Sequence, residues 1–559
     1  MNKVIIELLA KAAQKIGIAD PSIRLEHPED MSHGDFSSNV AMMHSKSLKI
    51  SPKILAEKIV DECKKNLPAD IASIEIAGQG FINFKVVDSY FSKEILRISK
   101  DAENFGKLSI DKGKEIMVEH TDPNPFKIFH IGHLMANTIG ESISRLVEFS
   151  GAKVIRACYQ GDVGLHVAKT IWAIQKDGSY KDDIKYLGDR YVFGSAQYES
   201  DEIAKKEIAD VNKKVFEKSD PEINKIYDAG RKLSLEYFDS VYKRLGTRFD
   251  EFFFESQVAD DGIKIVREFL KEGVFEESEG AVVFPGEKYG EHTRVFINSQ
   301  GLPTYEAKEL GLTDLKFKKY PDMTESIVIT ANEQNAYFKV LLVTIKAIFP
   351  EKAEKMKHLS HGILRPSTGK MSSRKGNIVA AETLIGEFES LVDEKISDRE
   401  FTDAEKMEIR KEVAVAGLKY TILRQAIGGD VIYDPTKALS FEGDSGPYLQ
   451  YAVVRARAVL AKAGGVKEVT TLPEKVETLE KLVLRFPEVV ERARTEYAPH
   501  HIVTYLIELS SAFNSYYANN QIISESDAVS TYRVALTKVF SDVMTNGLWV
   551  LGIQIPKRM

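Results

Sequence analysis

A strand signal, a histidine tetrad and a long amphipathic helix follow one another between Glu115 and Phe149, and this succession does most to narrow the folds open to the chain. Ile116, Met117 and Val118 form a short apolar run of the kind that makes a buried strand. The periodicity from Ile131 to Phe149 predicts a helix. His130-Ile131-Gly132-His133 therefore falls at a helix N-terminus just after a strand. Unpaired backbone N–H groups and the helix dipole favour a phosphate there, Gly132 lets a nucleotide come close to the backbone, and the histidines can donate to phosphate oxygens. A strand at Val154 to Cys158 and a helix from about Leu165 continue the alternation, which predicts a parallel sheet with covering helices.

The stretch from Lys176 to about Lys243 is charged and mostly helical in pattern, and reads as an insertion that interrupts the sheet without ending the domain. The α/β pattern resumes with strands at Ala281 to Phe284, Thr293 to Asn298 and Ile327 to Thr330, a helix from Glu333 to Phe349, and a strand-like segment from His358 to Leu364. These read as the second half of a nucleotide-binding fold. Next comes Lys370-Met371-Ser372-Ser373, followed by Arg374 and Lys375. The loop from Gly369 to Asn377 is rich in Gly, Ser, Lys and Arg, which suits a flap closing over a triphosphate. Each tetrad alone has a bland reading, as structural histidines or a solvated basic loop. Their order and contexts make a shared ATP the simplest explanation.

Before this region, residues 1 to about 110 read as a small α/β unit with a helix from Pro52 to Lys65 and strands at Ser73 to Ala77 and Phe81 to Val86. After about Val379 strand signals almost vanish, and helical periodicity recurs at Glu405 to Ile427, Gly446 to Ala463, Val476 to Thr495, His501 to Asn519 and Ala528 to Leu551. The expected organisation is an N-terminal α/β domain over 1–110, a Rossmann-type catalytic domain over 111–378 and an all-helical domain over 379–559. At 559 residues the chain is too long for one core, in keeping with several domains.

Composition excludes some classes. No apolar run is long enough to span a bilayer, and Met1 to Ile18 reads as an amphipathic helix rather than a signal peptide, so the expected location is the cytosol and no membrane partner is expected. Cys63 and Cys158 are the only cysteines, too few for a disulfide framework or a cysteine-rich zinc site, and both read as buried thiols. A net charge of −7 argues against binding nucleic acid through overall charge, while leaving local basic surfaces open.

The two tetrads resemble the signatures of class I aminoacyl-tRNA synthetases, and the likeness extends over nearly the whole chain to the arginyl-tRNA synthetase family. It is carried by His33-Gly34-Asp35-Phe36-Ser37-Ser38-Asn39 and Gly80-Phe81-Ile82-Asn83, and by Glu119, Pro123-Asn124 and Lys127 before the histidines. In the C-terminal half it rests on Ser440-Phe441-Glu442-Gly443, Gly446-Pro447-Tyr448-Leu449-Gln450-Tyr451, and the ending from Gly547-Leu548 to Pro556-Lys557-Arg558-Met559. The long insertion carries none of these motifs.

The resemblance implies a ligase that activates L-arginine with ATP and passes the arginyl group from the adenylate to the terminal ribose of tRNA(Arg), with Mg²⁺ accompanying ATP and no dedicated metal site. By the same resemblance His130, His133, Lys370 and Lys127 are catalytic, and His130, Gly132, His133, Lys370, Met371 and Ser372 hold ATP. A guanidinium needs acceptors, best supplied by carboxylates. By their positions in the family-like motifs, the resemblance makes Glu119, Asn124, Tyr305, Glu309 and Gln334 the candidates for arginine; Tyr305 and Glu309 would be about one helical turn apart, a spacing an ordinary helix-face pair also has. Tyr448 and Tyr451, with Met559, are the candidates for tRNA contact, against a bland reading as core aromatics. A monomer is expected.

Three departures from the family pattern stand out. Glu309 stands where the family more often has Asp, Ser373 replaces the second lysine of the common flap motif, and Met135 stands where Arg is frequent. Lys127, Arg374 and Lys375 are the candidates for supplying the missing charge, and Lys127, just ahead of His130, is the expected one. The competing readings are another class I synthetase or a nucleotidylyltransferase, which would share the first tetrad, and a non-catalytic tRNA-binding homologue, against which the retained histidines and Lys370 speak.

Overall fold

The computed structural model describes residues 1–367 and 379–559, which form two compact units. The first comprises residues 1–105, 456–485 and 511–542. Its strands β1 (Phe36–Ser38), β2 (Ile71–Ala77) and β3 (Phe81–Val86) pair antiparallel in the order β1-β3-β2. Helix Pro52–Lys64 begins where the sequence predicts, because the Ser51 hydroxyl accepts from the Ile54 N–H and Pro52 occupies the first turn, where a missing N–H costs nothing. Its apolar face joins helix Asn2–Lys15 and the sheet through Leu55, Ile59, Ile5, Leu9, Ile82 and Phe84, all fully buried. Asp35, in the His33 to Asn39 motif, is a clasp here. Its carboxylate accepts from the Val86 N–H at 2.8 Å and meets the Lys481 ammonium at 2.7 Å.

The second unit comprises residues 106–455, 486–510 and 543–559. Its strands in chain order are β4 (Glu115–Glu119), β5 (Lys153–Gln160), β6 (Glu251–Phe254), β7 (Glu276–Ser278), β8 (Ala281–Phe284), β9 (Arg294–Ile297), β10 (Met323–Ala331), β11 (Met356–His361), β12 (Leu364–Pro366) and β13 (Val431–Tyr433). Five of them form a parallel sheet in the order β11-β10-β4-β5-β6. The chain starts at β4 in the middle, runs outward to β6, then returns to fill the other side with β10 and β11. β4 and β10 therefore flank the point where the winding reverses, the place where open α/β sheets leave a crevice at their carboxyl ends. Ile116, Met117 and Val118 are fully buried, as a parallel strand covered on both faces requires.

The predicted helix Ile131–Phe149 is present over those residues. Between β5 and β6 stand helices Leu165–Asp177, Ile184–Ser200, Glu202–Glu217 and Pro221–Leu245, so the charged stretch is an insertion after which the sheet continues. Two expectations change. The strands near 281 and 294 belong to a separate antiparallel sheet with β7, in the order β7-β8-β9, rather than to the parallel sheet. Glu279 and Gly280 both have positive φ, +49° and +79°, and make the tight turn that joins β7 to β8. The helix expected over 476–495 is two helices, Thr478–Leu484 and Phe486–Glu496, because Pro487 cannot continue the first and suits the first turn of the second. Within the stretch after 379, otherwise helical among the described residues, the three-residue β13 pairs in parallel with β12, too short to show in the periodicity. Cys63 and Cys158 are buried free thiols, as expected.

Candidate active site

A cavity of about 600 Å³ opens at the carboxyl ends of β4, β5, β10 and β11 in the second unit, at the reversal of the winding. Its lining gathers Glu119, Asn124, His130, Gly132, His133, Tyr305, Glu309 and Gln334. Helix Ile131–Phe149 brings the histidines, helix Tyr305–Lys319 brings Tyr305 and Glu309, and the turn after β10 brings Gln334.

The histidine tetrad closes on itself. His130 is the N-cap, and its Nδ1 accepts from the Gly132 N–H at 3.1 Å and the His133 N–H at 3.4 Å, while His133 Nδ1 accepts from the His130 N–H at 3.3 Å. The Ile131 N–H donates to Val379 O at 3.1 Å. The first three amides of the helix are thus already engaged, which corrects the expectation that they wait unpaired for a phosphate. The rings stack with centroids 3.6 Å apart. Burial, then the charge of Lys127, pushes the His130 imidazole down to about 4, and burial holds His133 well below its usual range. Both rings are neutral at pH 7. Because each Nδ1 accepts, each Nε2 carries the proton, and the pair offers two N–H donors. Gly132 has a local reason too, since a Cβ there would lie 2.9 Å from the His130 ring.

The loop from His120 to Phe129 is held under strain. Thr121, Asp122 and Phe126 have φ of +80°, +43° and +68°, left-handed values that cost about 1–3 kcal/mol each for such residues. The His120 ring packs where a Cβ on Gly140 would stand, 2.1 Å away, and its Nδ1 lies 2.8 Å from Thr121 Oγ1, which accepts from Asn137. Asp122 accepts from the Tyr159 N–H at 2.7 Å. A Cβ on Gly161 would lie 2.3 Å from Asn124 Oδ1, so the glycine leaves room for that carboxamide.

Several of the acids have an internal partner. Glu119, almost wholly buried at the end of β4, meets the equally buried Lys316 ammonium at 2.6 Å. Glu255 pairs with Lys308, and Glu306 meets Arg294 at 3.0 Å. Glu309 has no ion pair among the described residues. Burial, then the charge of Glu119, raises its carboxyl to about 8. Tyr305 is exposed at the rim, with the Lys308 ammonium 4.4 Å from its ring centre.

Lys127 is not in the cavity wall. Its ammonium lies 4.8 Å from the ring centre of Tyr191, while its charge still reaches both histidines. Met135 is buried beside Ile139 under the same helix. Lys370, Met371 and Ser372, with Ser373, Arg374 and Lys375, lie outside the described residues, but the segments on either side of them are pinned. Ser367 donates to Tyr433 O at 2.8 Å, and Ala381 donates to Phe129 O at 2.9 Å. Tyr448 and Tyr451 are half-buried on helix Gly446–Ala463, the latter with the Arg455 guanidinium 4.7 Å from its ring centre; Met559 is partly exposed.

Sequence reasoning missed Asp122, Tyr159, Glu255, Arg294, Glu306, Tyr337 and His361, all in the cavity wall. Tyr159 and His361 end parallel strands at the crevice, a position that itself points to a site. The Tyr159 hydroxyl is buried without a hydrogen-bond partner among the described residues.

Three family models match in succession: the arginyl tRNA synthetase N terminal domain over residues 3–86, the catalytic domain of tRNA synthetases class I (R) over 96–434, and the DALR anticodon binding domain over 449–559. The arginine–tRNA ligase of Treponema denticola is 30% identical over 95% of this chain and 94% of its own. That of Clostridium acetobutylicum is 29% identical over 96% of both. The fold matches the Thermus thermophilus arginyl-tRNA synthetase over the full length of both chains, with a TM-score of 0.81 at 22% identity. With a catalytic-domain model covering more than half of its length and ligases of this kind aligned nearly end to end, the chain belongs to the class I arginyl-tRNA synthetases.

Proposed function

We propose that the cavity between the ends of β4 and β10 is where this arginine–tRNA ligase binds arginine beside ATP. The chain charges tRNA(Arg) with L-arginine using ATP. In the first step the arginine carboxylate attacks the α-phosphorus, forming arginyl-adenylate and releasing pyrophosphate. In the second a hydroxyl of the terminal ribose of tRNA attacks the adenylate carbonyl and AMP leaves. Both steps need alignment and neutralisation of charge more than a protein nucleophile.

In this reading the Nε2–H groups of His130 and His133 donate to ATP phosphates, and Gly132 keeps the helix start open to the nucleotide. Lys370, with Met371 and Ser372, binds the phosphates, and its charge compensates the departing pyrophosphate. Lys127 raises the positive potential without direct contact. Mg²⁺ arrives on the phosphates as part of the substrate, and no residue is assigned to it. Glu119, Asn124, Tyr305, Glu309 and Gln334 hold arginine. Tyr448, Tyr451 and Met559 meet tRNA in the helical region over 379–559, and the region over 1–110 touches the outer corner of the tRNA. We further propose that the chain works as a cytoplasmic monomer; no described helix is long and apolar enough to cross a membrane.

The observation that carries the reading is the meeting of the carboxylates and the two histidines in one cavity. Loss of a charged hydrogen bond weakens binding by about 10- to 100-fold. Glu119→Gln and Glu309→Gln are therefore expected to raise the arginine KM in aminoacylation by at least about tenfold, with the KM for ATP little changed. Unaltered arginine KM in both variants would remove the cavity from consideration.

A further inference from the structure

Six carboxyls line the cavity: Glu119, Asp122, Glu255, Glu306, Glu309 and Glu333. Three are matched by Lys316, Lys308 and Arg294, and Glu333 is exposed at the rim. Asp122 and Glu309 remain, on different walls, with no ion pair to any described residue. Asp122 is also aimed. One carboxylate oxygen, Oδ1, is fixed by the Tyr159 N–H at 2.7 Å, and no described residue donates to Oδ2. The left-handed backbone at Thr121 and Asp122, with Thr121 tied to His120 and Asn137, holds the side chain in that direction.

We propose that Asp122 is a further specificity-determining residue, which with Glu309 meets the guanidinium of the incoming arginine. The inference rests on the reading of the cavity as the arginine site. A planar cation with five N–H donors can use two acids that no internal cation has taken. A consequence for pH follows from the groups that face Asp122. Glu119 and Glu309 oppose its charge, Lys316 favours it, and Tyr159 supplies the backbone donor. Burial, then the charge of Glu119, raises its carboxyl well above the usual range, and Glu309 is raised to about 8. The empty site therefore holds protons at neutral pH that a bound guanidinium displaces, and arginine binding strengthens as pH rises.

The test is kcat/KM for arginine in aminoacylation by the full chain between pH 6.5 and 8.5, since that ratio reports groups of the free enzyme. For the unaltered chain an increase of at least about fivefold is expected; a flat profile overturns the proposal without any variant. Asp122→Asn keeps the acceptor for the Tyr159 N–H, so it should fold, with a KM for ATP near the unaltered value as the check. It is expected to raise the arginine KM about tenfold at pH 8.5 and to shrink the pH-dependent increase by more than half. It should also weaken inhibition by a guanidino acid lacking the α-amino group. Unchanged inhibition by that compound, or an unchanged arginine KM while Glu309→Gln raises it, overturns the role of Asp122 alone. If neither variant changes the arginine KM, the reading of the cavity fails.

Discussion

Glu309 shows how much one carboxyl depends on its surroundings. Its folded value of about 8 lies above the ordinary 4.5, so between those pH values the folded chain holds a proton that the unfolded chain has lost. Its contribution is full below about 4.5 and disappears as pH rises through 8. The melting temperature of the arginine-free chain should therefore fall more from pH 6 to 8.5 than that of Glu309→Gln, by on the order of 2 °C. Added L-arginine should stabilise the unaltered chain more than the variant. Parallel melting curves would show that Glu309 is not held protonated. At this scale the sequence was uneven. That His130, Gly132 and His133 would line a common site was legible because four adjacent residues carry the signal, and that Glu119 and Glu309 would join them was legible only through their positions in the family-like motifs. Asp122 and Tyr159 were not, because their role depends on a strained loop and on neighbours brought from β5. Glu255 and Glu306 were hidden because the cations that neutralise them, Lys308 and Arg294, make them resemble any other charged pair.

Among the elements, the start of helix Ile131–Phe149 is tied to the segment that follows the basic loop. The Ile131 N–H reaches Val379 O, and the Ala381 N–H reaches Phe129 O. Ala381 opens helix Ala381–Ile396, where proline is tolerated, and Ala380 is already extended, as a residue before proline prefers. Ala381→Pro thus deletes one hydrogen bond while keeping the helix. A fall of about fivefold in kcat is expected, from the roughly 1 kcal/mol such a bond contributes, with the arginine KM unchanged. An unchanged kcat would mean that this tether does not bear on catalysis. The helix from Ile131 was readable because its stripe is long and its cap is strong. The β7–β8 hairpin was misread because its strands span only three and four residues and the Glu279-Gly280 turn passed unnoticed. Helix Ala381–Ile396 was missed beside a loop whose composition dominated that stretch.

On the scale of the whole chain, the reversal of winding between β4 and β10 decides where the sheet leaves a cavity. The sequence disclosed the βα alternation, but not the strand order, which depends on non-local pairing such as Ile327 with Val118. The charged stretch between β5 and β6 adds helices Ile184–Ser200, Glu202–Glu217 and Pro221–Leu245 after helix Leu165–Asp177 without disturbing that order. Elements distant in sequence are fastened together in the second unit by polar contacts. The buried Lys419 ammonium donates to Leu245 O and Gly552 O at 2.7 Å each, and at the surface Arg558 meets Glu405 at 2.9 Å. One cavity brings together the acids proposed for arginine and the two neutral histidines proposed for ATP. A crystal structure with L-arginine and a non-hydrolysable ATP analogue tests this assignment most directly. The guanidinium is expected within hydrogen-bonding distance of Glu309, Asp122 or Glu119, and phosphate oxygens at Nε2 of His130 and His133; arginine bound outside this cavity, or phosphates away from both histidines, would overturn that assignment.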